Sequence, residues 1–125
     1  MGRILAVDDS EVILSELQTI LKNDGHEVFV AANGAAGVAM ALQSAPLDII
    51  ITDFNMPEMN GVQLTQAIKK DPRFAGTSVI MLTTENSTEL RKQGQDAGVR
   101  VWIVKPVHGE SLCKVIGKLL KPKAA

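Results

Sequence analysis

The amino-acid sequence predicts an α/β fold: one parallel five-stranded β-sheet with helices on both faces. Three observations carry that expectation. Strand-like and helix-like hydrophobic patterns alternate along the whole chain. Several strand-like runs, such as Ile49-Ile50-Ile51, are apolar at successive positions, as strands covered on both faces are. Five such strands and five helices account for the chain with no internal repeat or linker between them.

Taken in order, "RILAV" (3–7) is the first strand. Ile13, Leu17, Ile20 and Leu21 then fall on one stripe of a helix that Asn23-Asp24-Gly25 stops. "EVFVA" (27–31) is the second strand, and Asn33-Gly34 turns into an alanine-rich helix ending before Pro46. "LDIIIT" (47–52) is the third strand. The helix after it carries Leu64, Ala67 and Ile68 inward and ends at Asp71-Pro72. "SVIML" (78–82) and "VRVWIV" (99–104) are the fourth and fifth strands, and Leu112, Val115, Ile116, Leu119 and Leu120 mark the last helix. Between the last two strands, "ENSTELRKQGQDAG" (85–98) offers only Leu90 and Ala97 as apolar anchors. It also has Gly94 in its interior, at a cost of about 1 kcal/mol relative to alanine. This fourth helix is expected to be the least firmly held.

The 125 residues are 46% hydrophobic and 22% charged, the balance of a globular chain with its own core. No internal repeat or linker divides it, so residues 1–125 read as a single domain with 121–125 as a frayed tail. Thirteen basic against fourteen acidic residues leave a net charge of -1, which gives no basic surface for nucleic acid. No run approaches the ~20 apolar residues of a membrane span. The apolar run Ile4–Val7 is too short for a signal peptide, and Ala6 stands where a myristoylation motif needs Ser or Thr. Cys113, the one cysteine, reads as a small core residue in a reducing compartment, so the protein is expected in the cytoplasm without a membrane partner.

In a parallel sheet all strands deliver their C-terminal ends to one edge, where ligands bind. Here the first strand ends in Asp8-Asp9, the third in Asp53, the fourth in Thr83-Thr84 and the fifth in Lys105-Pro106. Each has a plain structural reading: Asp8-Asp9 as a helix cap, Asp53 as a turn cap, Thr83 as a β-branched strand residue, Lys105 as a solvated strand end. Together they make a different chemistry. Three gathered carboxylates repel by about 4 kcal/mol per pair at ~4 Å and an effective dielectric of ~20. Positive charge must sit among them. Lys105 supplies one, and an all-oxygen set suits Mg²⁺. A metal, an ammonium and a hydroxyl around Asp53 describe a phosphoryl-transfer site with that carboxylate as nucleophile.

"VDDS", "DFNMPEMNG", "MLTTE" and "WIVKP", in this order and spacing, resemble the receiver domain of two-component response regulators. The wording around the last two motifs is similar to stand-alone chemotaxis proteins of the CheY type. The resemblance implies the flavodoxin-like (βα)₅ fold with strand order 2-1-3-4-5. It implies a switch phosphorylated on Asp53 by a sensor histidine kinase, of the chemotaxis CheA type, with a downstream protein target such as the flagellar motor switch. It implies Mg²⁺ held by Asp9 directly, Asp8 through water, Asp53, and the Asn55 backbone carbonyl. Thr83 and Lys105 would hold phosphoryl oxygens, and the Lys105-Pro106 bond would be cis. Thr83 and Trp102 would be the switch pair, with output on helix four, strand five and helix five, where Arg91, Lys92, Lys114 and Lys118 are candidate basic residues. Asn55 and Glu85 would tune autodephosphorylation, and the only chemistry would be on the protein itself.

The alternatives are a stand-alone receiver in another phosphorelay, an aspartate-nucleophile phosphohydrolase, a flavoprotein on a similar fold, or a module without phosphorylation. The hydrolase wants a second carboxylate two residues past its nucleophile, where this chain has Asn55. The flavoprotein needs a hydroxyl-rich phosphate loop where this chain has "DDSE". The module fits poorly with intact Asp9, Asp53, Thr83 and Lys105. His26 and His108 are read as loop or cap residues.

Overall fold

The computed structural model describes residues 2–120. Strands β1 (Arg3–Val7), β2 (Glu27–Ala31), β3 (Ile49–Thr52), β4 (Ser78–Thr83) and β5 (Val99–Val104) form one sheet in the order β2-β1-β3-β4-β5, every pair parallel. Helices α1 (Glu11–Asn23), α2 (Gly34–Ser44), α3 (Gly61–Lys69), α4 (Thr88–Ala97) and α5 (Gly109–Leu120) link or follow them. This is the expected flavodoxin-like (βα)₅ architecture. The expected frayed tail, 121–125, lies outside the described residues.

The strands split their side chains between two cores, as a period of two requires. Ile4, Ala6, Ile49, Ile51, Ile80 and Leu82 meet Leu14, Leu17 and Leu21 of α1 and Leu112 and Ile116 of α5. Leu5, Val7, Ile50, Val79 and Met81 meet Ala41 of α2 and Val62, Leu64 and Ile68 of α3. The central strand β3 is buried at all four positions, which explains its unbroken apolar run. Four helices begin on side-chain caps: Ser10, Asn33, Asn60 and Ser87 each accept a backbone N–H.

The differences from expectation are local. Strand β3 starts at Ile49, because Asp48 turns its carboxylate back to accept the Arg3 N–H. Helix α3 stops at Lys69, and Asp71 caps a separate 3₁₀ turn, Pro72–Phe74. Cys113 is only partly buried, so it is not a core residue. His26 is more than a loop residue: its ring accepts the Gly2 N–H at 3.0 Å and bonds Asp24 at 3.1 Å, which ties the chain start to the α1–β2 turn. In α4 the expected anchor Leu90 stays half-exposed, Ala97 packs on the core, and the buried residue is Gly94.

Candidate functional site

Main-chain pairing sets the site. The Asp8 N–H donates to Ala31 O, Asp53 N–H to Val7 O, and Lys105 N–H to Thr83 O, so the residues following β1, β3 and β5 remain in ladder register. Their side chains then converge at one sheet edge. Lys105 Nζ donates to Asp8 Oδ2 at 3.0 Å and to Asp53 Oδ2 at 3.2 Å. Carboxylate oxygens of Asp8, Asp9 and Asp53 lie within 4.8 Å of one another. Asp8 and Asp53 are buried and Asp9 is exposed, which leaves one acid facing solvent at the mouth.

Two further features define what this cluster accepts. Asp53 Oδ1 is buried and has no hydrogen-bond partner, a costly state that a cation or a new bond would relieve. Asp8, in contrast, is already satisfied on both oxygens, by the Ser10 N–H at 2.9 Å and by Lys105. Three carboxylates and one ammonium leave an excess of two negative charges, all on oxygen, so the donor set fits a hard divalent ion such as Mg²⁺.

The same contact acts differently on its two ends. Burial pulls the Lys105 ammonium down, but the hydrogen bonds and charges of Asp8 and Asp53 outweigh it and hold its pKa above 10.5. Burial pushes the Asp8 carboxyl above 3.8, and the Ser10 N–H and Lys105 oppose that without cancelling it. Lys105 has two anionic partners, whereas Asp8 has one cation and the neighbouring Asp53 charge against it.

Around this centre, Thr83 is fully buried and its hydroxyl accepts the Glu85 N–H at 3.3 Å. Glu85 Oε1 accepts from Asn55 Nδ2 at 2.9 Å, and Glu85 O accepts from Trp102 Nε1 at 2.9 Å. One loop residue thus joins Thr83, Asn55 and Trp102, all singled out in the sequence. The Lys105–Pro106 peptide is cis, as the resemblance implied, and so is Ala45–Pro46.

Comparison with known proteins decides the family. Residues 4–117 match the response regulator receiver domain. The chain belongs to that family. This receiver is 39% identical over 120 residues to protein PilH of Pseudomonas aeruginosa, covering 96% of this chain and 98% of that one. It is 36% identical over 105 residues to chemotaxis protein CheY1 of Helicobacter pylori, covering 83% and 85%. Among solved structures, chemotaxis protein CheY4 of Vibrio cholerae superposes with a TM-score of 0.91 at 38% identity, covering 96% of this chain and 99% of that one. Receiver domains are signalling switches that take phosphoryl groups from histidine kinases and generally bind Mg²⁺ through acidic residues. Among the described residues no helix is long and apolar enough to cross a membrane.

Two residues escaped the sequence reading. Gly61, to which the sequence assigns no role, opens α3 directly beneath the loop that carries Asp53. A Cβ there would overlap the Asp53 carbonyl oxygen and lie 2.7 Å from Met81 Sδ. Gly94 reads in the sequence only as a weak point in α4. The available signal was its pairing with the sole tryptophan, on the adjacent strand.

Proposed function

We propose that this receiver is a phosphorylation-driven switch in which Asp53 is the phosphoacceptor. The observation that carries the reading is the state of that carboxylate: one oxygen is held by Lys105 and the other is buried and unpartnered. A carboxylate oxygen attacks the phosphorus of a phosphoimidazole on a histidine kinase, the P–N bond breaks, and the electron pair leaves with the imidazole. Lys105 neutralises charge on the transferred group, and the Thr83 hydroxyl donates to another of its oxygens. Mg²⁺ would be held by Asp9, Asp53 and the Asn55 carbonyl, with Asp8 acting through water, and would supply Lewis-acid charge stabilisation. The acyl phosphate adds charge and acceptor oxygens beside Thr83, whose hydroxyl leaves the Glu85 N–H. That change reaches Trp102 through Glu85 and biases α4, the helix with the fewest buried residues.

Output is read on α4, β5 and α5, where Arg91, Lys92, Lys114 and Lys118 supply positive charge. A chemotaxis-type kinase and a motor-switch target are the preferred partners, supported by relatives described as chemotaxis proteins. The chain acts as a single cytoplasmic domain with no turnover beyond its own phosphorylation and dephosphorylation, and Asn55 and Glu85 tune the latter. Incubation with Mg²⁺ and a small acyl phosphate should add one phosphoryl group, and Asp53→Asn should abolish it. Undiminished labelling of that variant would refute the assignment.

A further inference from the structure

Helix α4 is exposed almost all round, and among its residues only Gly94 is buried. The reason is the indole opposite. A Cβ at position 94 would lie 3.0 Å from Cζ3 and 3.3 Å from Cε3 of Trp102, close enough that the ring must give by a few tenths of an ångström. Across the same ring, Nε1–H donates to the Glu85 carbonyl at 2.9 Å. Trp102 is therefore clamped between the middle of α4 and the loop that leads into it. Glu85 in turn receives Asn55 on its carboxylate and gives its N–H to Thr83.

We propose that Gly94 is a notch that seats the Trp102 indole, and that the size of residue 94 sets how tightly the β4–α4 loop closes over the phosphoacceptor. The second half rests on Asp53 being that acceptor; the notch does not. Glycine in a helix interior is disfavoured against alanine. Here the missing Cβ lets the indole lie closer than an alanine allows without a shift of the ring by a few tenths of an ångström. Displacing the ring from position 94 strains the contact at its other end, the bond to Glu85, and loosens the loop whose Asn55–Glu85 link spans the two sides of the site mouth. Gly94 is thus a positioning residue, acting through Trp102 and Glu85.

The test is a double-mutant cycle with Gly94→Ala and Trp102→Phe, since phenylalanine lacks both ring carbons that face position 94. At an unobstructed helical position alanine raises Tm. Here Gly94→Ala should lower Tm or leave it unraised, red-shift the indole emission, and speed loss of the phosphoryl group severalfold after labelling by an acyl phosphate with Mg²⁺. In the Trp102→Phe background the same substitution should raise Tm. Equal Tm gains in both backgrounds, or an unchanged emission spectrum, would overturn the notch. Normal phosphoryl loss from a Gly94→Ala protein that shows the Tm and emission effects would overturn its link to the site. If the wild-type protein takes no label at all, the acceptor reading fails and the link with it, while Tm and emission still decide the notch.

Discussion

Lys105 Nζ lies 3.2 Å from Asp53 Oδ2, across 52 residues of sequence, and the same nitrogen reaches Asp8 Oδ2 at 3.0 Å. One ammonium thus bridges the ends of β1 and β3 from the end of β5. The pairs are well shielded, with 14% of the Lys105 side chain exposed against 3% for Asp8 and 10% for Asp53.

Removing that ammonium leaves two buried carboxylates without their cation. Lys105→Met should destabilise the metal-free protein by about 2–3 kcal/mol, below the full cost of breaking a wholly buried pair because the site mouth is open. Urea denaturation without Mg²⁺ measures this, and labelling by an acyl phosphate should fall at least tenfold, about 1.4 kcal/mol in the barrier.

Asp8 should behave in the opposite way. Burial raises its carboxyl above 3.8 in the fold, against the Ser10 and Lys105 contacts, and the Asp53 charge adds to the rise. A raised carboxyl favours the folded state below 3.8, and that advantage is lost as pH rises through the folded value. At neutral pH the cost of ionisation is present in full. Asp8→Asn should therefore raise the Tm of the metal-free protein by a few degrees, and the gain should disappear near pH 3. The same variant should gain less from added Mg²⁺, which should stabilise the wild type in proportion to RT ln(1 + [Mg²⁺]/Kd).

Gly61→Ala tests the floor of the loop that carries Asp53. The added methyl meets the Asp53 carbonyl and Met81, neither of which lies at the end of a freely moving exposed chain. The expected loss is about 2 kcal/mol, with a matching drop in Mg²⁺ affinity as Asp53 is displaced; a melting curve with and without the ion measures both.

Trp102 is the chain's sole tryptophan, so its emission reports the Glu85 contact directly. Mg²⁺ and an acyl phosphate should each change it, and Asp53→Asn should keep the response to the ion only in part and lose the response to the donor. A spectrum indifferent to both would disconnect the indole from the site.

Much of this protein was legible in its linear order. Continuous apolar runs such as Ile49-Ile50-Ile51 marked the strands, because strands buried on both faces carry apolar residues at successive positions, and helical stripes such as Ile13, Leu17, Ile20 and Leu21 marked the better-packed helices. Asp8, Asp9, Asp53, Thr83 and Lys105 meet at one edge by strand order alone, because parallel strands send their C-terminal ends there. Contacts decided by packing were not readable. That Lys105 splits its charge between Asp8 and Asp53, that Asp53 Oδ1 is left alone, and that Glu85 is held through its backbone by Trp102 all depend on side-chain direction at the edge. Gly61 and Gly94 show the limit most clearly. A glycine's letter records a missing Cβ, and only the folded chain shows which atoms occupy the space that Cβ would have taken.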